Sequence, residues 1–127
     1  TEIAAQAAAR RGKRDMAAID DALAAIAAAV ERGGDGVKED VAFHRCIAQA
    51  TGNPYFLATL AFVSQYLEAA TRVTRGNEAR HADQRRAVLQ EHGAIADAIR
   101  RQDAEAARAA ARIHMVNAAT RLREAHR

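Results

Sequence analysis

At 127 residues the chain is the size of one domain, large enough to bury a core without disulfides. Half of it is hydrophobic but only 4% is aromatic, with one proline, seven glycines and few β-branched residues, which excludes a sheet-rich protein and favours an all-α fold. The 19 cationic and 16 acidic residues leave a net charge of +3 and are interspersed rather than stacked, so charge alone indicates no nucleic-acid groove, and no run is apolar enough to span a membrane.

Six helical segments follow from periodicity and punctuation. The first, from Thr1 to about Arg11, is short and closed by Gly12. The second, from about Asp15 to Arg32, carries the stripe Met16, Ile19, Leu23, Ile26 and Val30, and ends at Gly33-Gly34. The third runs from about Val37 to Thr51 and is stopped by Gly52. Asn53-Pro54 then opens the fourth, because asparagine caps a helix well and proline suits its first position. That helix is apolar on two sides: Phe56, Leu60, Val63 and Leu67 form one stripe, and Tyr55, Phe62, Tyr66 and Val73 another. Two apolar sides call for two partners, one of them a second copy of the chain, so a homodimer is expected. Gly76-Asn77 is expected to break the fourth helix at about Arg75. The fifth then runs from about Arg80 to Arg101, and the sixth from the cap Asp103 to about Ala125.

Certain polar residues fall on stripes that should be apolar. Asp40 and His44 lie one turn apart on the face that also carries Phe43 and Ile47. His92 interrupts the stripe Val88, Ile95, Ile99, and His114 follows Ala107 and Ala110 and precedes Ala118. A buried carboxylate is costly unless it is paired or bound to a metal. Three helices each placing a histidine inward suggest a shared site, since bundle cores are where facing helices build metal centres. The residues by themselves also admit ordinary core histidines satisfied by hydrogen bonds. Three imidazoles and a carboxylate suit one divalent ion, zinc first, with nickel, manganese or iron as alternatives. His81 and His126 are expected at the surface. Glu78 and His81 have Glu-x-x-His spacing, but a di-iron bundle needs two such motifs. Cys46, the only cysteine, has no internal disulfide partner and reads as a structural thiol in a cytoplasmic protein.

The run Asp40-Val-Ala-Phe-His44, followed by Ile47-Ala-Gln-Ala-Thr-Gly-Asn53-Pro, resembles a segment of the FCD domain. So does Glu91-His92 with Ile95, Ala98 and Ile99, then Asp103, Ala106, Ala107 and His114. The FCD domain is the effector-binding part of the FadR subfamily of GntR transcription regulators. The resemblance covers about Glu39 to Val116 and implies an antiparallel bundle of about six helices. It implies a metal held by Asp40, His44, His92 and His114, a small organic acid bound at or beside it, and a dimer. It also implies that DNA is contacted only through a winged-helix domain preceding the FCD domain, which these 127 residues lack, and that the first helix is truncated. One domain, residues 1–127, would then serve effector binding and dimerisation.

A divalent ion with one aspartate and three neutral imidazoles keeps a net charge of about +1, which would draw an anion. Arg72 and Asn117 are candidates to grip it. The competing reading is a helical metalloenzyme acting on a small carboxylate, but a metal-activated water needs a general base. Glu91 is expected to point about 100° away from His92 around the helix, and no second inward carboxylate is evident.

Overall fold

The computed structural model describes residues 1–78 and 82–125, and of residues 63–65, 67, 76–78 and 125 the backbone only. The expectations for the side chains of Val63, Leu67 and Glu78, and for His81 and His126, lie outside the described residues. Among these residues the fold is all-α, with α1 (Glu2–Arg10), α2 (Lys13–Glu31), α3 (Val37–Ala50), α4 (Pro54–Glu78), α5 (Ala82–Arg100) and α6 (Ala104–Ala125).

The ends of the helices follow from local chemistry. Asn53 caps α4 by accepting the Tyr55 N–H at 2.9 Å, and Asp103 caps α6 by accepting the Ala106 N–H at 3.0 Å. α2 ends in a Schellman turn: Gly34 N–H donates to Ala29 O and Gly33 N–H to Val30 O, with Gly33 at φ 86°. α5 ends the same way, but the residue held at positive φ (56°) is Gln102. Arg11, just past α1, reaches across to the carbonyls of Ile99 and Arg100, supplying donors that the last turn of α5 lacks. α4 does not break at Gly76-Asn77 but continues to Glu78. An interior glycine costs a helix only about 1 kcal/mol. The buried ion pair from Arg75 to Asp40 fastens that stretch to α3.

The core lies where α1, α2, α3, α5 and α6 meet, with Ile19, Phe43, Ile95 and Ile99 fully buried. Each such side chain contributes roughly 1.5–3 kcal/mol. α2 packs on α3 and α5, α1 on α6, α3 and α5, and α4 on α3 and α6. The alanine content has a structural use here. Ala4, Ala5, Ala7 and Ala8 of α1 and Ala107 and Ala111 of α6 are all buried, so these helices meet through methyl groups. The second stripe of α4 stays outside the bundle: Tyr55, Phe62 and Tyr66 are 80%, 78% and 66% exposed.

Gln102 carries a side chain in a conformation that favours glycine. Gln102→Gly is expected to stabilise the fold by about 1 kcal/mol, read as a rise of a few degrees in melting temperature. An unchanged or lower melting temperature would contradict it.

Candidate metal centre

Four helices deliver the polar core. Asp40 and His44, one turn apart on α3, approach with His44 Nε2 3.2 Å from Asp40 Oδ1. His92 on α5 brings its Nε2 to 3.7 Å from the same oxygen. His114 arrives from α6, and its ring centroid lies 4.6 Å from that of His92 and 5.5 Å from that of His44. One ring nitrogen from each of His44, His92 and His114 lies within 4.8 Å of the others. Phe43 forms an apolar wall, its ring 5.0 Å from His92 and 5.4 Å from His44. The three histidines predicted from separate helices therefore do come together, and Asp40 lies beside two of them, His44 and His92.

The two oxygens of Asp40 have different partners. Oδ2 accepts from Arg75 Nη2 at 2.8 Å and Nε at 3.0 Å, while Oδ1 faces the imidazoles. Burial alone would raise the pKa of Asp40. The hydrogen bond with His44, the surrounding imidazoles and the Arg75 guanidinium outweigh burial and hold the carboxyl well below the usual range. His92, only 1% exposed, is pushed down to about 3, chiefly by burial and against the pull of Asp40. It is therefore neutral at pH 7, the state a metal ligand requires. Its Nε2 is buried without a hydrogen-bond partner. Such an orphan atom costs about 1–3 kcal/mol, and a cation shared with the neighbouring nitrogens would relieve it. The donor set and this unsatisfied atom fit a divalent metal.

His114 is held from behind. Its Nδ1 lies 2.8 Å from Glu91 Oε1. Glu91 also accepts from Asn117 Nδ2 at 2.9 Å and from Arg121 Nη1 and Nη2 at 3.1 and 2.7 Å. Burial acts to raise the pKa of Glu91, but the hydrogen bonds from Arg121, His114 and Asn117 bring it down to about 2. Glu91 thus corrects the expectation of no second inward carboxylate. It does lie to one side of His92 on α5, but that side faces the groove against α6, and its side chain is 9% exposed. His114, Asn117 and Arg121 recur at three and four residues along α6, which puts all three on the face that meets it.

A cavity of about 430 Å³ adjoins the centre, with Asp40, His44, His114 and Arg121 among its polar walls. Ile47 and Leu60 are among its apolar ones. Neither Arg72 nor Asn117 lines it. Arg72 is exposed, 3.0 Å from Glu68 and 3.6 Å from Asp35, and Asn117 reaches the centre only through Glu91. Arg75 and Arg121 were not singled out by sequence reasoning, and Glu91 was weighed there only as a general base and set aside. The one available signal for Arg121 was its spacing of seven from His114.

A family model described as the FCD domain matches residues 1–117. The chain is similar to proteins named HTH-type transcriptional repressor NanR. It is 39% identical to that of Escherichia coli (strain K12) over 79 residues, which are 62% of this chain and 29% of the relative. The same figures hold for Shigella flexneri. It is 32% identical to that of Klebsiella aerogenes over 105 residues, 77% of this chain and 40% of the relative. The chain thus spans well under half the length of the curated relatives it matches. Among the described residues, no helix is long and apolar enough to cross a membrane.

The ionisation pattern gives the metal-free protein a signed pH dependence. Asp40 and Glu91 have lowered pKa values when folded, and His92 and His114 are likewise harder to protonate than in the unfolded chain. At acid pH the unfolded state therefore binds more protons, and stability present above pH 6.5 is lost on acidification. For His92 the loss runs from 6.5 to about 3, and for Glu91 from 4.5 to about 2. Melting temperature in excess chelator is expected to fall by at least about 5 °C between pH 7 and pH 4. A flat profile would contradict the neutral, buried imidazoles.

Proposed function

The chain belongs to the FCD domain family, and on that premise we propose that it is the effector-sensing domain of a GntR-type transcription regulator. In this reading residues 1–127 form one sensing and dimerising domain of a cytoplasmic protein. Operator binding belongs to another part of such a regulator. The relatives carry the name of transcriptional repressors, which favours regulation over catalysis.

The observation that carries the reading is the convergence of His44, His92 and His114 beside the cavity, with the buried Nε2 of His92 left without a partner. These three imidazoles and Asp40 would hold one divalent ion, with zinc our first choice for a nitrogen-rich set. When bound, the ion supplies positive charge at the cavity wall. Arg121 also lines the cavity with its charge balanced by Glu91, so the ion would leave the wall net positive, and a small organic acid is the effector class that the walls favour. The volume suits a compact ligand. Among the described residues, the carboxylates at the centre are both engaged, Asp40 by Arg75 and His44 and Glu91 by His114, Asn117 and Arg121. This disfavours the metalloenzyme alternative, which needs a free base. Effector binding acts as a signal if it changes how helices or subunits pack. The exposed stripe of Tyr55, Phe62, Tyr66 and Val73, spaced at seven, four and seven along α4, supports a homodimer through that face.

Native mass spectrometry of the purified protein is expected to report two subunits and one divalent ion per subunit. His92→Ala and His114→Ala are each expected to lose most of the metal, while His81→Ala keeps it. Zinc at about 100 times its dissociation constant should stabilise the chelated wild type by about 2.7 kcal/mol. Metal-free protein whose melting ignores added zinc, nickel and manganese would refute the metal centre.

A further inference from the structure

The buried network behind His114 assigns a task to Glu91. Of the two ring nitrogens of His114, Nδ1 is occupied at 2.8 Å by Glu91 Oε1. An ionised carboxylate can only accept, so the proton of the neutral ring lies on Nδ1, and Nε2 is left with its lone pair free. Glu91 is itself held in place. Asn117 donates to Oε2, and the two terminal nitrogens of Arg121 clasp both oxygens in a bidentate pair. All four groups come from α5 and α6, two helices packed together along their length. His92, the neighbour of Glu91 in sequence, turns its Nε2 toward Asp40.

We propose that Glu91 is a positioning residue of the centre, which locks His114 in the Nδ1–H tautomer and so presents Nε2 as a ready donor to the ion. The inference rests on the metal-centre reading for its purpose, but its structural content holds in the metal-free protein. Histidine ligands gain basicity and a fixed ring orientation from such a partner. A neutral imidazole without one would divide its proton between two nitrogens and rotate freely about its last side-chain bond. Arg121 gives the arrangement a second property. It lines the cavity and also clasps Glu91, so the wall that an anionic ligand touches is joined through one carboxylate to a metal-facing imidazole.

The test begins with the full chain in excess chelator, labelled with ¹⁵N for histidine tautomers by long-range proton–nitrogen correlation. Wild type is expected to show His114 protonated on Nδ1, and Glu91→Gln to show a mixture or the Nε2–H form. Zinc affinity, measured by chelator competition, should then fall about 10–100-fold in Glu91→Gln. Glu91→Asp retains the charge beside Arg121 but withdraws the oxygen from His114, and the same loss is expected. If Glu91 served only to neutralise Arg121, Glu91→Gln would melt earlier and Glu91→Asp would not, with neither moving the tautomer or the zinc affinity, which overturns the proposal. An Nε2–H tautomer in wild type also overturns it, and this reading needs no variant to fold. Wild type that shows the Nδ1–H form yet binds no zinc would refute the metal centre while leaving the lock on His114 intact.

Discussion

An ionised carboxylate inside a protein costs several kcal/mol unless its oxygens are satisfied, and Asp40 is where this bundle meets that cost. Arg75 takes one oxygen from α4, His44 the other from within α3, and His92 approaches from α5. Breaking such a buried pair by removing one partner typically costs about 3–5 kcal/mol. Asp40 therefore joins α3 to both α4 and α5 and fixes where His44 and His92 sit. The apolar core alone would leave the helices free to settle by shape, whereas this carboxylate sets which side of each faces inward.

Two carboxylates thus organise opposite ends of the same cluster. Asp40 gathers His44 and His92, and Glu91 holds His114 with the help of Asn117 and Arg121. Each is joined to an arginine, which keeps the charge of the buried cluster close to balanced. The cavity opens beside the histidines on the α3, α4 and α6 side, so a ligand there meets polar groups from three helices and apolar surface between them.

How much of this was legible in the sequence depended on the kind of residue. Asp40, His44, His92 and His114 stood out because each interrupts an apolar stripe, and a polar residue on a buried face has few ordinary explanations. The helix ends at Gly33-Gly34, Asn53 and Asp103 were legible because capping chemistry is local. Arg75 and Arg121 were not, and neither was the inward turn of Glu91, since a charged residue on a helix is usually solvated and helix geometry alone does not tell which flank of a buried stripe meets a neighbour. Their burial depends on which helices pack together, and that is a property of the whole fold. Gly76 misled for a related reason: a glycine marks a place where a helix can stop, and tertiary contacts decide whether it does.

The methyl-on-methyl seam between α1 and α6 bears on how lineages with this architecture can diverge. Ala4 and Ala111 are buried in that seam and also border the cavity. Replacing either by a bulkier residue would fill part of the ligand space or wedge the two helices apart, while the imidazoles would keep their identities. Selection for a smaller or larger ligand could therefore act on single carbon atoms at the seam and change which molecule is accommodated without rebuilding the chemistry that greets it.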